Sequence, residues 1–345
     1  MGNEAIALYV RQKFPQASTT PASVSSIKSR LKSQIALGMP MAGGSAAGAQ
    51  ALTWASLPEA DEDVETLEEA KARINVRYNA LGRMARRLVK GQLPSLIVSG
   101  PPGLGKSHTI REAIDEMGDL MQQVIMGVDG AAYDKEEDVP TDEKKAARFY
   151  DIISGSITAV GLYQALWYTR KGGVLVLDDL DEIFRDEVCL NLLKAALDSG
   201  KERRLSWRKE AQWLEEYGID KSFDYQGHVI FLTNIDFEAE ILKQNKMAEH
   251  FKALIDRSMY LCLTLRTKRD FMIRIRQVAE GENGMLVKNF GLTFEQSEEV
   301  LDFVTEHQAR FYNLSLRLVG QVANCMRADP EGWVEDVEAT KMRTK

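Results

Sequence analysis

Between Gly100 and Ser107 the chain reads Gly-Pro-Pro-Gly-Leu-Gly-Lys-Ser, which fits the pattern G-x-x-x-x-G-K-[ST]. The glycines let the backbone curl until several N–H groups point inward. A helix starting at once adds its own N-terminal N–H groups and dipole to the same spot. Both flanks suit such a loop, for Ser95 to Ser99 reads as a short apolar strand and Ser107 to Glu116 as a helix. The expected ligand is the polyphosphate of ATP, held by Gly100, Pro101, Pro102, Gly103, Leu104, Gly105, Lys106, Ser107 and His108. Lys106 would reach the β- and γ-phosphates and the Ser107 hydroxyl would ligate Mg²⁺. A chance glycine turn is the alternative, and it leaves the strand before and the helix after unexplained.

A second segment complements the first. Gly173-Val174-Leu175-Val176-Leu177-Asp178-Asp179 is an apolar strand ending in two carboxylates. In open α/β folds ligands bind at the carboxyl ends of the strands. Asp178 is therefore the expected Mg²⁺-side carboxylate, and Asp179 the group that orients or deprotonates attacking water. Asp181 and Glu182 follow directly, so a solvated acidic loop is the competing reading.

Further apolar runs at Val124 to Val128, Phe149 to Ile153, Val229 to Leu232 and Met259 to Leu265 alternate with helical patterns. That alternation predicts a parallel sheet covered on both faces. Asp129 to Glu143 reads as an acidic, exposed loop. After Thr267 the apolar spacing is helical, which predicts a separate helical bundle. The first 70 residues differ. A helix is expected from Thr20 and Pro21 to Gly38, then a small-residue linker and an acidic patch from Glu59 to Glu69. The expected division is an appendage over 1–70, an α/β domain over 71–265 and a helical lid over 266–345.

Composition narrows the setting. The 44 basic and 51 acidic residues give a net charge of −7, which excludes a generally basic nucleic-acid coat. From Lys71 to Lys90, however, seven Lys or Arg occur with no acid. These form either a solvated helix face or a contact surface for phosphates. Cys189, Cys262 and Cys325 lie far apart, as expected for reduced thiols in the cytoplasm. The longest uncharged stretch, Ser33 to Pro58, is too rich in glycine to suggest a membrane span.

With both motifs placed, the stretch from about Ala72 to Arg327 resembles the AAA+ family of P-loop ATPases. Gly227-His228-Val229-Ile230-Phe231-Leu232-Thr233-Asn234 resembles its strand ending in a polar sensor. Ala253-Leu254-Ile255-Asp256-Arg257 resembles the helix end carrying its arginine finger, with Arg266 and Arg269 as rivals. Leu314-Ser315-Leu316-Arg317 resembles the second sensor of its lid. The resemblance implies an α/β P-loop NTPase fold with a parallel five-stranded sheet and a C-terminal helical lid. It implies ATP and Mg²⁺ as cofactors and a homo-oligomer, a hexameric ring. It gives Asn234 the task of holding water, and Arg257 and Arg317 contacts to the γ-phosphate. The family pairs Asp with Glu where this chain has Asp178-Asp179, which allows slow hydrolysis. The stretch Leu190 to Gly200 followed by Arg203-Arg204-Leu205-Ser206-Trp207 is faintly similar to uncharacterised AAA-type ATPases of tailed bacteriophages.

Protein-threading members carry an aromatic pore loop, and the corresponding stretch here, Ser154 to Gly161, has none. It reads either as small hydroxyl residues suited to a phosphate backbone or as an ordinary helix start. Action on DNA, as a helicase loader or a replication or recombination motor, is thus the leading expectation. A protein-remodelling ATPase, with a protein partner bound through residues 1–70, and a slowly hydrolysing assembly scaffold are the alternatives.

Overall fold

The computed structural model describes residues 57–58, 60, 65–124, 148–198, 202–208, 212–244 and 246–343. The chain divides into two compact units, Met1–Ala51 and Leu52–Lys345, and every described residue belongs to the second. The helix expected from Thr20 to Gly38, the linker after it up to residue 56 and the acidic loop from Asp129 to Glu143 lie outside the described residues, as does most of the patch before residue 65.

Helix α1 (Leu67–Val89) opens on a reciprocal cap, with Glu69 N–H donating to Thr66 Oγ1 and Thr66 N–H donating to Glu69 Oε2. It buries Ile74, Tyr78, Leu81, Ala85 and Leu88. Strand β1 (Ser95–Ser99) then enters the glycine loop, and helix α2 (Lys106–Asp115) leaves it. Next come β2 (Met121–Gln123), β3 (Arg148–Ser154), α3 (Ala159–Tyr168), β4 (Val174–Asp178) and α4 (Glu187–Ala196). A small antiparallel pair, β5 (Arg204–Ser206) and β6 (Ser222–Asp224), flanks the short helix α5 (Gln212–Glu216). The remainder of the α/β part is β7 (His228–Thr233), α6 (Phe237–Leu242), α7 (Lys246–Arg257) and β8 (Met259–Cys262). Five helices follow: α8 (Lys268–Ala279), α9 (Met285–Phe290), α10 (Phe294–Glu306), α11 (Leu316–Ala328) and α12 (Trp333–Lys341).

The main sheet has the order β2-β3-β4-β7-β1-β8, and every pairing in it is parallel. Its central strands are buried apart from His228 at the start of β7, and their alternate residues feed two different cores. Leu96, Val98, Val174, Val176, Ile230 and Leu232 pack with α1, α2 and the C-terminal helices. Ile97, Leu175, Leu177, Val229 and Phe231 pack with α3, α4, α7 and the β5–β6 pair. Strands covered on both faces explain why the sequence shows continuous apolar runs rather than polar alternation.

Among the described residues the sheet has six strands, where the resemblance implied five. The additional edge strand, β2, buries only Met121 and exposes Gln122 and Gln123, so no apolar run marks it. Its pairing with β3 ends at Val124, whose N–H donates to Tyr150 O, where the sequence had suggested that a strand begins. The remainder of that expected strand, residues 125–128, is outside the described residues. The last strand also stops at Cys262 rather than Leu265, because Leu263 and Leu265 turn into the core beside α8.

Candidate phosphate-binding site

The loop from Gly100 to Gly105 lies at the carboxyl edge of the sheet, next to the ends of β4 and β7. Its glycines answer to geometry. A Cβ on Gly100 would sit 2.8 Å from Leu263 Cβ, and Gly103 and Gly105 have φ of 69° and 95°. Gly105 caps α2 in this left-handed conformation, which side chains disfavour. Leu104 is fully buried and anchors the loop, while Pro102 and His108 are exposed.

Lys106 is almost wholly buried. Its Nζ donates to Gly100 O at 2.6 Å, Pro101 O at 2.9 Å and Asn234 Oδ1 at 2.9 Å. Burial pulls its pKa down to about 8, against the opposing pull of Asp179, Asp178 and Asp181. Asn234 then passes the contact on, its Nδ2 donating to Asp179 Oδ1 at 2.9 Å. Lysine, amide and carboxylate form one chain across the ends of β7 and β4.

Ser107 Oγ donates to Asp178 Oδ1 at 3.0 Å. The two groups expected to flank a metal thus meet in space although 71 residues apart in sequence. A neutral hydroxyl and a carboxylate suit Mg²⁺, a hard cation that takes oxygen donors and leaves most positions to water and phosphate. Among the described residues no cluster of three His, Cys, Asp or Glu side chains could hold a metal unaided. These donors therefore fit a cation that arrives with a polyphosphate.

Asp179 has φ of 55°, a left-handed backbone that Asp, Asn and Gly adopt most readily. This supplies a physical reason for Asp rather than Glu at this position. Asp181, which reads in sequence as part of an acidic loop, turns inward instead. It accepts from Thr233 Oγ1 at 2.6 Å, and burial raises its pKa. Thr233 Oγ1 also accepts from Ile235 N–H, and Ser99 Oγ donates to Ile235 O, so the turn that presents Asn234 is tied on both sides. Neither tie has a spacing signature in the sequence.

The C-terminal helices reach the same loop. Ser315 caps α11, and Leu316 N–H, the first of that helix, donates to Gly103 O at 2.8 Å. Arg317 is exposed beside it. With Pro102, Gly103, Tyr312, Gln321 and Lys341 it lines a cavity of about 270 Å³. Arg257 stands elsewhere. It ends α7 with its Nη1 on Ala253 O, and its carbonyl accepts from Ser95 Oγ at the start of β1. The phosphate loop begins at the other end of that strand, about 13 Å away at ~3.3 Å per residue. Of its rivals, Arg269 is engaged otherwise, its Nη2 donating to Glu65 O. The stretch Ser154 to Gly161 resolves as a helix start, with Thr158 Oγ1 accepting from Gly161 N–H.

No protein-family model matches the chain. A curated protein of Enterobacteria phage T4, an uncharacterised 36.7 kDa protein of the nrdC–mobD intergenic region, is 33% identical over 276 residues. That alignment spans 80% of this chain and 76% of the T4 protein. The chain belongs to the T4 protein's family. Among solved structures, a RuvB variant from Thermotoga maritima aligns over 78% of this chain and 69% of its own, at 13% identity and a TM-score of 0.39. NtrX from Brucella abortus, crystallised with ADP, aligns over 93% of this chain and 68% of its own, at 14% identity and a TM-score of 0.32. For this member of the T4 protein's family, the architecture stands on its own parallel sheet and glycine loop. No helix among its described residues is long and apolar enough to cross a membrane.

Proposed function

We propose that the chain is an AAA+-type ATPase that binds Mg²⁺-ATP in the loop from Gly100 to His108 and hydrolyses it in a ring of like subunits. The observation that carries this reading is the convergence of Lys106, Ser107, Asp178, Asp179 and Asn234 at one point of the sheet edge. Main-chain N–H groups of the loop and Lys106 would bind the β- and γ-phosphates. Ser107 and Asp178 would hold Mg²⁺, which neutralises charge on the transferring phosphoryl group when bound. Asn234 would place the attacking water and Asp179 would take its proton. Arg317, on the lid helix docked to Gly103, is positioned to follow the γ-phosphate, and Arg257 would serve a neighbouring subunit.

DNA is the proposed object of this work, consistent with Arg83 and Arg87 on α1. These are exposed and form no ion pair among the described residues, whereas Arg73 and Arg86 of the same helix are paired with acids. The deciding experiment measures ATP hydrolysis with and without single- and double-stranded DNA, alongside native mass with a non-hydrolysable nucleotide. DNA-stimulated turnover that falls steeply with salt supports the reading. In the same assays Lys106→Ala should bind ATP at least ~100-fold more weakly, since it deletes a buried charge from the phosphate nest. Wild-type affinity in that variant removes the loop assignment.

One observation favours a second reading. Asp179 is a short carboxylate already engaged by Asn234, which suits a slow ATPase that uses ATP to set its assembly. An ATP-dependent oligomer with negligible phosphate release identifies that case.

A further inference from the structure

The phosphate loop faces a cation that neither motif includes. Arg274 lies in the middle of α8, the first helix after the sheet, and its Cζ sits 3.7 Å over the ring centre of Tyr78 from α1. Its Nη2 is 3.6 Å from the point where a Cβ on Gly105 would lie. Its Nε is cut off from solvent and has no hydrogen-bond partner, while the guanidinium as a whole engages Tyr78.

Three arginines nearby are balanced by acids. Arg73 bonds to Glu65 and Asp270, Arg269 to Glu65, and Arg276 to Asp302 and Glu280. Arg274 pairs with no carboxylate among the described residues, although burial disfavours its charge and pulls its pKa down. A partly desolvated guanidinium without a counter-charge destabilises a fold, and such groups cluster at functional sites. The cation–π contact with Tyr78 offsets part of that loss. What is missing is an anion, and its Nη2 stands beside Gly105, the residue that caps the helix leaving the glycine loop.

We propose that Arg274 is a polyphosphate-binding residue carried by the helical region, parked on Tyr78 until a nucleotide enters the loop at Gly105. This rests on the reading of the loop as an ATP site, and it adds a contact from α8 to those of Lys106 and Arg317. Nucleotide arrival moves the guanidinium from the aromatic face of α1 to a phosphate and so draws α8 toward the loop. The helical region thereby reports whether any polyphosphate is bound, while Arg317 reports on its γ-phosphate.

The test uses the full chain as wild type, Arg274→Met, Arg274→Lys and Lys106→Ala. Two quantities are read, the equilibrium affinity for ATP and ADP with Mg²⁺ and the unfolding temperature of the free protein. Arg274→Met should bind both nucleotides about tenfold or more weakly, the loss expected for one charge-assisted hydrogen bond. The free Met variant should unfold at the wild-type temperature or above, because it removes an unbalanced buried charge. Arg274→Lys, which keeps the charge, should bind better than the Met variant. Three results overturn the proposal: a Met variant that binds like wild type, one whose free form unfolds several degrees lower, or a Lys variant no better than Met. If wild type binds ATP and Lys106→Ala does not, any of these sinks the Arg274 role alone. If Lys106→Ala binds as wild type does, the loop assignment fails first.

Discussion

Asp179 combines two demands in one residue. Its backbone is left-handed, and its carboxylate is held by the Asn234 amide that also accepts from Lys106. Asp179→Ala should therefore keep ATP bound while turnover falls by about 10²-fold or more, the range for loss of a general base. Unchanged phosphate release in a steady-state assay would move the base elsewhere, with Asp181 next in line. Lys106 makes a prediction in pH. Its pKa in the folded chain is about 8 against an ordinary 10.5, so between these values the unfolded chain carries more protons. The contribution of Lys106 thus makes the nucleotide-free protein more stable as pH rises through that window. ATP needs the charged amine, so affinity should decline above about pH 8, where an ordinary lysine would leave it level. Titration calorimetry at pH 7, 8 and 9 should show falling affinity and growing proton uptake. A flat profile would mean that Lys106 does not meet the phosphates.

Among the secondary-structure elements, the contact between α11 and the phosphate loop gives the sharpest expectation. Leu316 is the first residue of its helix, a position that tolerates proline, and the extended backbone of Ser315 suits a residue before proline. Leu316→Pro should delete the N–H bond to Gly103 while leaving α11 folded. Faster hydrogen exchange at the start of α11, with circular dichroism unchanged, would bear this out; unchanged exchange would make the bond incidental. The sequence reveals β1, β4 and β7 well, because strands buried on both faces must be continuous apolar runs. It also makes legible the places of Lys106 and Ser107 at the start of α2, of Asp178 at the end of β4 and of Asn234 just after β7, the first three from the motifs and the last from the resemblance. It hides β2, a three-residue edge strand with two exposed glutamines. It hides Arg274 too, one of several arginines in α8, because only tertiary packing leaves that one without an acid.

In the molecule as a whole, Arg257 and the phosphate loop stand at opposite ends of β1. A single copy therefore does not bring its own Arg257 to its own nucleotide. Arg257→Ala should lower turnover by about 10³-fold without preventing ATP binding. Mixing it with Lys106→Ala chains should restore part of the activity, since each variant supplies what the other lacks. No recovery in the mixture would end the proposal of a shared site.

The hydrogen bond from Leu316 to Gly103 is made by main chain on both sides. Substitutions that keep the two backbone groups in place can change the flanking side chains and still preserve it. Distant members of the T4 protein's family can thus diverge around this joint while conserving the joint itself. Letter-by-letter sequence comparison would register only drift where the mechanical link between helix bundle and glycine loop had been inherited intact.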